Sequence, residues 1–130
     1  MSLTLYPIKT IRLTNRTAEQ DLSKLWKSLN LPSDQILYGL YHHYESDYKG
    51  EYDFSIALEQ QNKQANPIEI DDNNYWFEVF NTDREQIVET WKTIWNKSQQ
   101  GLLKRAYSLD FEKYYPDEKV EIYISIQPHC

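Results

Sequence analysis

Arg105-Ala106-Tyr107-Ser108-Leu109-Asp110-Phe111-Glu112-Lys113-Tyr114-Tyr115, followed after one turn by Val120-Glu121-Ile122-Tyr123-Ile124-Ser125-Ile126, reads as a β-hairpin. Apolar residues alternate with polar ones along both runs, the period of strands with one buried face, and Val120, Ile122, Ile124 and Ile126 keep strict step. The alternation puts Tyr107, Leu109 and Phe111 on one face of their strand and the four aliphatics on one face of theirs. Both sets are expected to pack beneath helices. Ala106, Ser108, Asp110 and Glu112, with Tyr123 and Ser125, then share the opposite face, where three small residues leave room for a ligand.

The rest of the chain supplies matching parts. Ile8 to Leu13 alternates as a first strand, and Thr17 with Gln20 three residues on resembles a capping box. Leu22, Leu25, Trp26 and Leu29 then fall on one helical stripe. Ile36 to Glu45 is apolar on both faces, which predicts a central strand covered on both sides or lining a pocket. Tyr52 to Glu59 alternates again, with Tyr52, Phe54, Ile56 and Leu58 inward. Gln60 to Asn74 is a polar loop around one short strand, Ile68 to Ile70. Tyr75 to Phe80 is the next strand, Thr82 is the expected cap of a second helix, and Ile87, Val88, Trp91, Ile94 and Trp95 form its stripe up to Gly101.

A shift of 65 residues lays Thr17 on Thr82, Leu22 on Ile87, Trp26 on Trp91 and Leu29 on Ile94. Small further shifts bring Tyr44-Glu45 onto Phe111-Glu112, and Tyr52, Phe54 and Ile56 onto Val120, Ile122 and Ile124. The expected fold is therefore α+β: one domain over residues 1–130, a duplicated β-α-β-β module with halves at about 1–60 and 75–127. Its antiparallel sheet carries two helices on one face, with a groove at the pseudo-twofold along the other face. Glu45 and Glu112 become pseudo-equivalent carboxylates. Gly39, Tyr41 and His43 share the groove face by parity, and Trp76 or Glu78 joins from the fourth strand.

Composition narrows the function. The net charge of −6 and pI near 5, with no run of Lys or Arg, argue against direct nucleic-acid binding or attachment to an anionic membrane. No secretory leader or long apolar run is present, so a cytoplasmic location is expected. The single cysteine, Cys130, excludes an internal disulfide. Adjacent His42 and His43 would point to opposite faces of a strand, so no metal site is expected, His129 standing near the terminus. No Gly-rich phosphate loop or serine elbow suggests a cofactor or a nucleophile, and none is expected.

Four Trp, eleven Tyr and four Phe make up 15% of the chain, more aromatic surface than a core of this size requires. A carboxylate at the floor of an aromatic groove suits a flat or lipophilic cation, each ring adding roughly 0.5–2 kcal/mol of cation–π attraction. Alternatively, Glu112 lies solvated at its strand end or pairs with Lys113 or Arg105. Two carboxylates in one groove would also permit general acid–base work.

Tyr38-Gly39-Leu40-Tyr41, Tyr44-Glu45-Ser46-Asp47-Tyr48-Lys49-Gly50-Glu51-Tyr52, Trp91-Lys92-Thr93-Ile94-Trp95, Asp110-Phe111-Glu112-Lys113-Tyr114 and Val120-Glu121-Ile122-Tyr123-Ile124 occur in an order and spacing that resembles the GyrI-like family, the AraC-type bacterial effector-binding domain. The resemblance runs from about Ile8 to Gln127. It implies the duplicated fold and, by analogy with multidrug-sensing transcription regulators, a small hydrophobic, cationic ligand. It also implies Glu112 as the charge partner and Tyr123 as a ring beside it. Tyr41, Trp76 and Trp91 are further ligand-binding candidates by parity or aromatic type. The chain lacks a basic helix-turn-helix segment and so resembles a stand-alone member. Ser125 replaces the family's usual Pro, and Asn81-Thr82-Asp83 stands where a Gly is common. Other stand-alone members resemble gyrase-inhibitory modules that bind a protein partner, or hydrolases of electrophilic compounds that use paired glutamates, here Glu45 and Glu112. A protein partner or a homodimer thus stays open.

Overall fold

A computed structural model describes residues 2–46, 49–61, 63–71 and 75–127. The turn at Asp47-Tyr48, the Asp72-Asn73-Asn74 cluster, His129 and Cys130 lie outside the described residues. The elements run β1 (Ser2–Leu13), α1 (Ala18–Ser28), β2 (Leu37–His42), β3 (Tyr52–Leu58), β4 (Ile68–Asp71), β5 (Phe77–Asp83), α2 (Ile87–Gln99), β6 (Leu109–Tyr114) and β7 (Lys119–Ser125).

The seven strands form one sheet in the order β4-β1-β3-β2-β6-β7-β5, and each paired ladder is antiparallel. β2 and β6 lie at its middle. As its two apolar faces predict, β2 is covered on both sides: Tyr38 and Leu40 are fully buried on one, and Gly39 and Tyr41 face the helices on the other. The sheet curls on itself. Leu5 and Ile70 from the β1–β4 edge reach Tyr38, Leu40 and Phe111 at the centre, and Phe77 and Tyr123 join from the opposite edge.

Two smaller clusters lie on the helix side. Leu25 of α1 packs with Leu13, Tyr52, Phe54 and Ile56, and Ile94 of α2 packs with Val120, Ile122 and Ile124. Each helix has one buried side chain, Leu25 or Ile94. At roughly 1.5–3 kcal/mol per fully buried aliphatic, neither helix is strongly anchored by that residue alone.

The hairpin register differs from the expected one. Phe111 pairs with Tyr123 and Glu112 with Ile122. Directly opposed residues share a face, so Phe111 and Tyr123 turn into the curled core, while Glu112 joins Val120, Ile122 and Ile124 beneath the helices. The turn sets this: Tyr115 N–H donates to the Lys119 carbonyl at 2.9 Å, and Glu118 takes φ 78°. A register differing by one residue reverses the face of every side chain in the strand.

The helix starts differ as well. Thr17 precedes α1 but makes no side-chain cap hydrogen bond. Thr82 lies within β5, opposite Val120. The chain instead turns at Asp83, whose Oδ1 accepts from the backbone N–H groups of Glu85 (3.0 Å) and Gln86 (2.9 Å), and α2 begins at Ile87. β1 starts at Ser2, well before Ile8, because its first half pairs with β4. Among the described residues, no helix is long and apolar enough to cross a membrane.

Candidate functional site: a glutamate in an aromatic cleft

Glu112 is 3% exposed. Its Oε2 accepts from the Trp91 indole N–H at 2.6 Å and its Oε1 accepts from the Tyr114 hydroxyl at 2.6 Å, with Tyr41 of β2 beside them in the same lining. The two donors come from α2 and β6, so the site is assembled where the central strands pass beneath α2. Burial pushes the Glu112 carboxyl above its ordinary value, while the surrounding donors favour the charged form and oppose that rise. Among the described residues, no basic side chain forms an ion pair with it. Lys113 lies over the rings of Tyr38 and Tyr115, and Arg105 pairs with Asp110.

Above Glu112 is a cleft of about 1040 Å³ between α1 and α2. Leu22 and Trp26 wall it from α1, Trp91 and Trp95 from α2, and Tyr41 and Glu112 lie at its floor. The two tryptophans that the 65-residue shift superposes each pack against a tyrosine distant in sequence. Trp26 meets Tyr114 edge-on at 5.3 Å, and Trp91 meets Tyr41 edge-on at 5.5 Å. The cavity therefore lies on the helix side of the sheet, not on the expected face. The helices stand apart, each over its own small cluster, and the cleft opens between them above β2 and β6.

One end of the cleft is built around a buried ion pair. Arg105 donates to Asp110 Oδ2 at 2.8 Å, with side-chain exposures of 4% and 0%. The same carboxylate accepts from the Tyr44 hydroxyl at 2.6 Å and, through Oδ1, from Ser125 N–H at 2.8 Å. That amide is the donor a proline at position 125 would lack. The Arg105 guanidinium lies 4.4 Å from the Tyr107 ring centroid.

Of the sequence-derived candidates, the structure brings together Glu112, Tyr41 and Trp91. It separates the other three. Tyr123 stacks on Phe111 at 4.3 Å with a 10° interplanar angle, on the far side of the sheet from Glu112. Trp76 is 48% exposed and outside the cleft lining. Glu45 is exposed, outside that lining, and linked to Glu51 only by its backbone N–H. Both parity arguments assumed unbroken strands, whereas β2 ends at His42 and β5 begins at Phe77. Sequence reasoning missed Trp26 and Tyr114. The superposition of Trp26 on Trp91 carried the signal for the first.

The aromatic floor imposes a tight approach at Gly39, which pairs directly with Glu112. A Cβ there would stand 2.8 Å from Phe54 Cζ and 3.4 Å from Glu112 Oε1. Gly39→Ala is expected to cost about 1–3 kcal/mol of stability by overpacking, measured by urea unfolding. An unchanged midpoint would show that Phe54 moves aside freely.

The class of protein defined here is an effector-binding fold, a curled antiparallel sheet with two helices flanking a cleft. A family model described as "Cass2: Integron-associated effector binding protein" matches residues 8–126, and the chain belongs to this family. It is similar to the Bacillus subtilis (strain 168) protein named "Putative transcriptional regulator protein YobU", 30% identical over 122 residues, covering 84% of this chain and 74% of that one. Among solved structures, integron cassette protein VCH_CASS2 from the mobile metagenome of Vibrio cholerae superposes with a TM-score of 0.79 at 25% identity, covering 97% of this chain and 91% of that one. The structure of SAV2435 bound to tetraphenylphosphonium superposes at 0.72 with 18% identity, over 97% and 89%. The motif resemblance thus holds at the level of effector binding.

Proposed function

We propose that the protein binds lipophilic cationic or aromatic compounds in the cleft between α1 and α2, as the effector-binding domains of multidrug-sensing regulators do. Glu112 is the anionic anchor, and Trp91, Tyr41 and Trp26 supply the rings. The observation that carries this reading is a buried carboxylate with two neutral donors and no basic partner among the described residues. A cation entering above it supplies the missing charge. The cleft volume suits a multi-ring compound. Tetraphenylphosphonium, to which SAV2435 is bound, belongs to this ligand class.

The strand order supports reading the chain as two β-α-β-β modules, about 1–60 and 75–127. The run β1-β3-β2 on one side of the central seam corresponds to β5-β7-β6 on the other. A hydrolase using Glu45 with Glu112 receives no support, because Glu45 does not line the cleft. Tyr123 and Trp76 also stand outside this binding site.

A pH series tests the reading. A cation binds the carboxylate form, and burial raises the Glu112 pKa in the free protein. Affinity for tetraphenylphosphonium is therefore expected to rise as pH increases through that pKa and to level off above it. The rise should extend above the ordinary carboxylate range. Tyr41 and Tyr114, the other titrating groups at the floor, are pushed well above their ordinary values and stay neutral throughout. Displacement of a fluorescent hydrophobic cation at each pH measures the profile, and a flat profile would remove Glu112 from the interaction.

A further inference from the structure

We propose that His42, His43 and Asp53 form a divalent-metal site at the end of the β2–β3 hairpin. One donor atom from each lies within 4.8 Å of the others. His42 lies on the curled-core side of the sheet, away from Glu112, and pairs directly with Asp53 across the ladder.

Adjacent strand residues face opposite ways, which is the sequence argument against a shared ion. The structure departs from it at one torsion. β2 ends at His42, and His43 takes φ 50°, in the left-handed region that side-chain-bearing residues seldom occupy. This turn brings the two imidazoles to a centroid separation of 4.6 Å. Strained backbone of this kind is found disproportionately at binding sites.

The surroundings prepare the ligands. His42 Nε2 lies 2.7 Å from Ser55 Oγ, which lies 2.7 Å from Thr10 Oγ1. This chain fixes the ring, as the outer-shell partners of metal-binding histidines do. His43 Nδ1 lies 2.7 Å from Asp53 Oδ2, the position of a proton that a metal would replace.

Arg12 holds the other carboxylate oxygen, Oδ1, at 3.1 Å and donates to the His43 carbonyl at 2.9 Å. It thereby fixes the turn while Oδ2 stays available. Glu51, 3.6 Å from Arg12 Nε, offsets the guanidinium charge. Two imidazoles and one carboxylate are a borderline donor set suited to Zn²⁺, Co²⁺ or Ni²⁺, with coordination positions left for water.

The test uses the full chain carrying His129→Ala and Cys130→Ser, which removes the remaining imidazole and the thiol. The chelator-stripped protein is titrated with Co²⁺, followed by visible absorption, and with Zn²⁺ in competition with a chromophoric chelator. One ion per chain is expected, with affinity reduced about tenfold or more by His43→Ala and by Asp53→Asn, and unchanged by Glu112→Gln. His43 is largely exposed, so its removal leaves the fold intact, as circular dichroism will verify. Absence of binding, or equal affinity in the folded His43→Ala protein, overturns the proposal.

Discussion

Glu112→Gln is expected to weaken binding of a lipophilic cation by about 30-fold, roughly 2 kcal/mol, the lower end of what removing one member of a buried charge pair costs. Glutamine keeps the shape and one acceptor. Its amide, however, sets a donor against either the Trp91 indole N–H or the Tyr114 hydroxyl, both of which donate in the wild type. A neutral aromatic ligand of similar size serves as the control, and its affinity should change far less. Equal cation affinity in the two proteins would eliminate the anchor role. Stability gives an independent readout. The folded-state pKa of Glu112 is raised, so its contribution is fully present below the unfolded pKa and is lost as pH rises through the folded one. Chemical denaturation should therefore show the variant improving relative to the wild type as pH rises through that window.

Arg105→Met is expected to lower stability by about 3–5 kcal/mol, because it leaves the Asp110 charge buried without its partner. The remaining donors to Asp110, the Tyr44 hydroxyl and the amide and hydroxyl of Ser125, are neutral. Combining Arg105→Met with Asp110→Asn should recover part of the loss. Asparagine retains an acceptor for Ser125 and carries no charge. Urea midpoints of the single and double variants measure the coupling directly. If Arg105→Met alone costs less than about 1 kcal/mol, the value of a surface pair, the ion pair is not the staple inferred here.

Much of the architecture could be read from the order of residues alone. The alternation in Tyr52 to Leu58 and Val120 to Ser125, the double-faced apolar run at β2 and the helical stripes ending on Leu25 and Ile94 are local signals, and local geometry obeyed them. Glu112 was a candidate through the motif resemblance, and Tyr41 and Trp91 through parity or aromatic type; the structure sets these three side by side. The face of the hairpin was not, because alternation gives parity within a strand, whereas relative parity depends on a turn in which Glu118 takes a positive φ. Tyr123 was misplaced by that one-residue difference. The meeting of His42 and His43 likewise depends on a single torsion that no periodicity encodes. Trp26 and Tyr114 escaped because their contact joins residues far apart in sequence, and helical spacing reports which stripe is buried without saying what it is buried against.

The separate clusters beneath α1 and α2 have a mechanical consequence. A chain of this size commonly unites its helices over one interior, but here each rests on its own small footing with open aromatic floor between. Each helix is expected to open locally by breaking its own cluster together with the Trp26–Tyr114 or Trp91–Tyr41 contact that joins the two. A guest that fills the gap touches both and acts as a keystone. Amide exchange should then slow in α1 and α2 together on binding, although no single side chain belongs to both footings.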